Sequence, residues 1–411
     1  MDIDPNLEFM KSCFRSYYRA NDFEPPPRFT RREWGFFMFG ANNMIRHVKF
    51  DSKKDLRDFL ASRGPMHSYC STAYYKDPAL TPMPKKQEGW LGADLIFDID
   101  ADHLKDAESM TYTEQLENVR EMILKLLFDF LLPDFGFAEE NVELYFSGGR
   151  GYHIHITDPR VLPLDSKDRQ EIVDYISGVG LNEESVIPKE HFDKKVFQGH
   201  VTTMSRRKMY AGDAPGWKGK IRQGAVRLLD QLEGQPKDEA LAYILKLKED
   251  AVLKGVMGET VAKNLYSELF SPDSHGETAA NKIKREGVLD NFSETKLREA
   301  FFKLVVAYTR IEMTGKTDEP VTKDIKRLLR MPYSLHGKTG FKVVKVALED
   351  VRKFDPLKEA VVLPDRPVKL EVTKPLEIIL KGERFNMVPG PTELPLFAAY
   401  FALGRRCAKL V

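Results

Sequence analysis

The chain has 411 residues, 42% hydrophobic and 30% charged, with a formal charge of +1; that length buries a core and accommodates two structural units, and near-neutrality excludes a uniformly basic nucleic-acid coat, so any polynucleotide surface must be a local groove. Three widely spaced cysteines, Cys13, Cys70 and Cys407, argue against a disulfide framework and fit a reducing cytoplasm. The acidic start Met1-Asp2-Ile3-Asp4 leads into no secretory signal, and no apolar run approaches the ~20 residues of a membrane span, so a soluble cytoplasmic protein is expected.

In chain order, residues 5–20 predict an aromatic-rich helix that ends before Pro25-Pro26-Pro27. Strands at 34–39 and 44–50 flank the turn Gly40-Ala41-Asn42-Asn43, followed by a short helix at 53–62 and an extended stretch at 66–75. Over 90–100 the centre is apolar and bounded by charge, which predicts one buried strand with functional groups at its C-terminal end. Val119, Met122, Ile123, Leu126, Leu127 and Phe130 recur at helical spacing within 114–132. Strands at 142–146 and 152–157 then flank a glycine turn. The stretch 205–227 is basic and glycine-containing, with a single acid, Asp213. From 228 to about 290 the pattern is helical and reads as an insertion, dividing the chain into 1–227, 228–290 and 291–411. A further helix at 294–314, a strand at 341–348, an alternating tail from Pro364 and a helix near 396–405 complete an α+β chain.

Phe97-Asp98-Ile99-Asp100 carries the first chemistry. Residues i and i+2 of a strand share a face, so Asp98 and Asp100 point together while Phe97 and Ile99 enter the core. Carboxylates held this close take up a proton or share a cation, and hard oxygen ligands favour Mg²⁺ or Mn²⁺. An isolated Asp-x-Asp is more often a solvated strand end. Asp94 reads as structural and Asp102 as a loop residue.

In Ser147-Gly148-Gly149-Arg150-Gly151-Tyr152-His153, the glycines permit close approach of backbone N–H groups to an anion. Arg150 can meet a phosphate bidentately, with Ser147 and His153 as further donors. A bare Gly-Gly turn is commonly a plain hairpin; Arg and His at these offsets favour phosphate. His155 reads as a core residue.

The string Arg330-Met331-Pro332-Tyr333-Ser334-Leu335-His336-Gly337-Lys338-Thr339-Gly340 is not a P-loop, because Pro332 stands where a Walker motif needs glycine. Arg330, His336 and Lys338 look like cations on a Pro/Gly-shaped loop. Asp318 and Asp324 are the nearby acids, and composition does not choose between them.

Taken together, Phe-Asp-Ile-Asp, Ser-Gly-Gly-Arg-Gly-Tyr-His and Ser-Leu-His-Gly-Lys-Thr-Gly resemble the motifs of the small, catalytic subunit of the archaeal–eukaryotic DNA primase, archaeal type, over most of the chain. The resemblance implies that family's catalytic fold, with mixed sheets around a central cleft. It places catalytic, metal-binding aspartates on Asp98, Asp100 and Asp318, the last chosen over Asp324 because it lies eighteen residues before His336. Nucleotide contacts fall on Ser147, Arg150, His153, Arg330 and His336. Arg32-Glu33-Trp34-Gly35-Phe36 resembles an early block of the family that sets Glu33 near the site, and Arg46 matches with its spacing one residue off. The implied partners are a primase large subunit, single-stranded DNA and NTPs or dNTPs, with no membrane. The family's zinc knuckle after the aspartate pair is missing, since 102–118 holds no cysteine and only His103; no zinc is expected.

The activity so implied is primer synthesis for replication by two-metal nucleotidyl transfer, with extension by deoxynucleotides. A primase-like polymerase for end joining or repair is the alternative, although lysine would be expected in place of Arg150. A metal-dependent nuclease and a nucleic-acid-binding scaffold with a decayed site are further readings. The basic stretch 205–227 is a candidate template contact, with a solvated loop equally common for such runs.

Overall fold

The structure is a computed structural model that describes residues 4–104, 107–197, 200–248, 250, 252–290, 292–310 and 321–411, with backbone alone at 103, 192–197 and 200–205. It resolves into two compact units, one of residues up to 125, 137–173 and 313–411, the other of 126–136 and 174–312. Both are mixed α and β, and the sequence-derived insertion 228–290 falls within the second. Among the described residues no helix is long and apolar enough to cross a membrane.

In the first unit, a helix at Pro5–Ala20 starts on an Asp4 cap and buries Phe14 and Tyr18. Strands β1 (Trp34–Phe37), β2 (Met44–Val48) and β3 (His67–Ser71) follow, and β3 is succeeded by β4 (Ala73–Tyr75) and β5 (Trp90–Ala93). The central strand β6 (Leu95–Asp100) pairs antiparallel with β8 (Gly151–Ile156), which pairs with β7 (Val142–Phe146). Helix Tyr112–Lys125 packs over β6 and β8 with Leu116, Val119 and Ile123 buried. The sequence predicted one continuous helix to 132, but the winding widens into a π-turn at Leu126–Leu131, which belongs to the second unit.

The second unit contains the hairpin of β9 (Lys189–Phe197) and β10 (His200–Arg207) and helices at Trp217–Glu233, Lys237–Leu247, Glu259–Phe270, Ala279–Glu286 and Thr295–Thr309. The basic stretch 205–227 is therefore no single loop. It ends β10 and supplies the first turns of a helix whose Ile221, Ala225 and Leu228 are buried. Much of its charge is used internally: Lys220 pairs with Asp134 at 2.7 Å, Arg207 with Glu184 at 3.1 Å, and Arg222 donates to the Ile283 and Lys284 carbonyls.

The first unit resumes with β11 (Leu328–Arg330), which joins β3, giving the order β11-β3-β1-β2. Strand β12 (Val344–Val346) joins β7, giving β12-β7-β8-β6. It is shorter than predicted because Val343 instead exchanges backbone bonds with Tyr333 and Ser334. In the tail, β13 (Pro367–Val372) alternates strictly between exposed and buried, β14 (Leu376–Leu380) and β15 (Glu383–Met387) form a hairpin, and β16 (Gly390–Pro395) and β17 (Ala408–Leu410) flank β13 around a buried helix, Leu396–Gly404.

The 90–100 run, predicted as one strand, is two, and Asp94 is the break. Strand β5 pairs with β4 and β6 with β8, so the chain changes partner there. Asp94 is wholly buried and receives Arg32 Nη2 at 2.7 Å and the Tyr74 hydroxyl at 2.6 Å, as its structural reading anticipated. Arg32 is otherwise satisfied by the Pro27 and Ser71 carbonyls, and Arg169 donates to the Ala93 and Asp94 carbonyls. Removing one partner of such a buried pair strands the other charge. Asp94→Ala is expected to destabilise the first unit by about 3–5 kcal/mol, read as a lower urea midpoint; a shift equivalent to less than about 1 kcal/mol would contradict this role.

Candidate active site

Register along β6 and β8 sets the site. Asp98 lies opposite His153 and Asp100 opposite Gly151, while Phe97 and Ile99 are buried. The Asp98 carboxylate retains 21% exposure, with His153 Nε2 3.5 Å away. The buried His153 Nδ1 has no hydrogen-bond partner among the described residues. Burial lowers the pKa of His153, outweighing the pull of Asp98, so the ring is neutral near neutral pH. Burial raises the Asp100 carboxyl, as do the charges of Asp98 and Asp102, against a hydrogen bond from the Asp102 N–H. Only glycine fits at 151, where a Cβ would sit 2.5 Å from the Ile99 carbonyl oxygen and 2.8 Å from Asp100 Oδ2.

The glycine turn after β7 is clasped by the third motif. Gly148 has φ +75°, and a Cβ there would meet the His336 Cβ at 2.9 Å. The Thr339 hydroxyl donates to the Gly148 carbonyl at 2.6 Å, and Tyr112 donates to Gly149 from the covering helix. Ser147 Oγ accepts the Gly149 N–H at 3.3 Å, which leaves its own proton for donation. Arg150 is drawn to Asp102 and donates to Gln115 Oε1 at 3.1 Å.

His336 Nδ1 accepts the Lys338 N–H at 3.3 Å, so Nε2 carries the proton. That Nε2 lies 3.4 Å from where a Gly149 Cβ would stand, aiming an N–H donor at the turn. His67 is held in the same way, with Nδ1 2.7 Å from Arg330 Nη1 and 3.3 Å from the Gly337 N–H. Burial, with Arg330 and Lys338, pushes His67 down to about 3, and burial with Arg330 holds His336 well below its usual value. Both rings act as neutral donors.

These groups converge on a cleft of about 570 Å³ lined by Asp100, Asp102, Arg150, Arg330, His336 and Lys338, with Arg405, His67 and Tyr69 on its remaining walls. Its volume is within the usual range of small-molecule sites, and its charge suits a polyphosphate beside a pair of carboxylates. Of the sequence-predicted residues, Asp100, Arg150, Arg330 and His336 line the cleft, Asp98 and His153 flank it along β6 and β8, and Ser147 is buried under the turn. Asp318 lies outside the described residues. The turn Val321–Lys323, which begins three residues after it, packs against β6. Asp324 accepts the Lys326 N–H at 2.9 Å within its own turn. Among the described residues no three His, Cys, Asp or Glu side chains are arranged to hold a metal.

Glu33 has a cluster of its own. It is buried and receives Lys86 Nζ at 2.8 Å and Arg46 Nε at 3.0 Å, and although burial opposes this, these cations hold its carboxyl below the usual range. Sequence reasoning missed Arg405 and His67, which bear no local motif, and left Lys338 out of the nucleotide-binding set although it sits inside the third one.

Residues 97–347, more than half of the chain, match the family model described as DNA primase small subunit. The chain is also 41% identical over 411 residues to a protein named DNA primase small subunit PriS from Methanothrix thermoacetophila, covering 98% of each. A protein of the same name from Methanocella arvoryzae is 35% identical over 98% of each chain, and one from Methanococcoides burtonii is 37% identical over 98% and 97%.

A carboxyl whose pKa is raised by folding binds its proton more tightly in the folded state, so stability falls as pH rises through the carboxylate range. Asp100→Asn, which keeps the acceptor for the Asp102 N–H, should therefore raise Tm near neutral pH, with a gain that fades as pH falls below the ordinary aspartate value of 3.8. Mg²⁺ should raise the Tm of the parent and not of the variant; a lowered Tm with an unchanged Mg²⁺ response would contradict the assignment.

Proposed function

The chain belongs to the DNA primase small subunit family, and on that premise we propose that it is the catalytic subunit of a primase, synthesising short RNA primers on single-stranded DNA by nucleotidyl transfer and extending them with deoxynucleotides. The observation that carries this reading is that Asp100, beside Asp98, faces the same cleft as Arg150, Arg330, His336 and Lys338.

The two carboxylates fit a divalent cation. Their donors are hard oxygens, Asp100 is burdened by burial and by its neighbour's charge, and a cation relieves both. Asp98, Asp100 and Asp318 would hold Mg²⁺ or Mn²⁺, with no zinc in this reading. Three residues of chain span at most about 10 Å, so the packing of Val321–Lys323 on β6 supports Asp318 as the third ligand. Ions held there would supply Lewis-acid chemistry, lowering the pKa of the primer 3′-hydroxyl and offsetting charge at the α-phosphate. Arg150, Arg330 and Lys338 balance the phosphates, and the neutral His336 and Ser147 donate hydrogen bonds that fix the chain for in-line attack. The 3′-oxygen bonds to the α-phosphorus as its proton passes to solvent water, and the bond from that phosphorus to the oxygen bridging to the β-phosphate breaks with its electron pair leaving on pyrophosphate. A large subunit and a DNA template complete the assembly in this reading. The internal pairing of Arg207, Lys220 and Arg222 weighs against 205–227 as the main template contact.

The test is incubation of the chain, with and without its large subunit, with single-stranded DNA, Mg²⁺ or Mn²⁺ and labelled nucleotides. Primers and pyrophosphate are expected, whereas mononucleotides released from DNA would overturn the reading in favour of a nuclease. Asp98→Ala, Asp100→Ala and Asp318→Ala should each cost at least about 10²–10³ in rate; a fully active Asp98→Ala/Asp100→Ala double variant would end the proposal. Arg150→Ala removes a charge-assisted contact and should raise the nucleotide KM about 10- to 100-fold, and an unchanged KM would remove Arg150 from the phosphate site.

A further inference from the structure

A second cavity, of about 750 Å³, adjoins the cleft within the first unit and shares Met66, Lys338 and Arg405 with it. Beyond those shared residues it is lined by Arg406 and Lys409 from the C-terminal segment and by Asp4 and Asn6 from the start of the first helix. Four cations thus face one acid, and that acid is engaged: Asp4 accepts the Asn6 N–H at 2.8 Å and the Asn6 side-chain amide at 3.0 Å. Lys409 is paired with Glu371 at 3.0 Å, but both are about half exposed, and such a pair holds its partners weakly.

Arg405 stands between the two spaces. Its guanidinium lies 5.2 Å from the ring centres of both Tyr112 and Phe401, and its buried Nε has no hydrogen-bond partner among the described residues. Its position is fixed to that of the third motif. The Tyr400 hydroxyl donates to the Gly337 carbonyl at 3.0 Å, and a Cβ at Gly404 would come 2.4 Å from the Lys338 carbonyl oxygen, so the backbones of the helix end and the motif loop are in direct contact. The acids of the cleft, Asp100 and Asp102, line it alongside these cations but do not line the second cavity. Lys338 and Arg405 line the cleft together with Asp100 and are therefore among the cations available to the β- and γ-phosphates of a triphosphate whose α-phosphorus lies at the carboxylates.

We propose that this second cavity is the release site for inorganic pyrophosphate, which passes Lys338 and Arg405 and is held by Arg406 and Lys409 before it leaves the enzyme. The proposal rests on the nucleotidyl-transfer reading, and it assigns the C-terminal segment a part in product release rather than in chemistry. A nucleic-acid strand is disfavoured because the cations are gathered in a concavity and not along an extended track.

The test uses the full chain, comparing the parent with Arg406→Gln/Lys409→Gln, both exposed positions that folding should tolerate. Nucleotide KM and kcat measured without added pyrophosphate should stay within about twofold, while the inhibition constant of pyrophosphate rises about tenfold, as expected for two lost phosphate-contacting cations. An unchanged inhibition constant overturns the proposal. So does a parallel rise in nucleotide KM, which would make the cavity part of the nucleotide site, and so does weakened primer–template binding with unchanged inhibition, which would assign it to a nucleic-acid strand. Calorimetric titration of the same two proteins with magnesium pyrophosphate gives a second readout that needs no turnover. If the parent incorporates no nucleotide, the nucleotidyl-transfer reading fails, whereas loss of pyrophosphate affinity in the variant, or its retention, still decides the cavity's role.

Discussion

The antiparallel register of β6 on β8 is the constraint from which the site follows. It sets Asp98 against His153 and Asp100 against Gly151, so carboxylates and phosphate turn emerge at the same end of one sheet. A slip of one residue would turn both aspartates into the core and bring Phe97 and Ile99 out. The register is held on both sides. Gly151 admits no side chain against the Ile99 carbonyl, and at the other end the buried Arg32–Asp94–Tyr74 group marks where the chain leaves β5 for β6.

Charge in the cleft is arranged by burial. His67, His153 and His336 are all pushed below their usual pKa, so they serve as neutral polar groups among arginines and add no further positive charge. The opposite happens at Asp100, where burial and Asp98 oppose ionisation. A cation-lined cleft beside an overcharged carboxylate pair is unbalanced in the unliganded state. In the proposed function, a nucleoside triphosphate with divalent cations would supply both charges, and each half of the site would then favour binding at the other.

Much of this was legible in the sequence because it lies in local patterns. The i, i+2 aspartates, the glycine turn with Arg150, and the alternation of Val368, Leu370 and Val372 each express a short-range rule of strand geometry. The break at Asp94 was not legible, since it comes from an exchange of strand partners that no local window contains. The internal partners of the basic stretch 205–227 were not legible for the same reason: Arg207, Lys220 and Arg222 find theirs distant along the chain. Arg405 carried no signal, for it reaches the cleft only because Gly404 lets the last helix lie against the Lys338 loop. The choice of Asp318 as the third acid came from family resemblance, and that residue lies outside the described residues.

Convergence of Asp98, Asp100 and Asp318 on shared divalent cations is the central claim. It is tested most directly by loading the chain with Fe²⁺ in place of Mg²⁺ and mapping backbone cleavage by the hydroxyl radicals generated at the bound ion. The account predicts cuts both around 98–100 and around 318, with both sets suppressed by excess Mg²⁺ and by Asp100→Asn. Cleavage confined to the neighbourhood of 98–100, with none near 318, would contradict it.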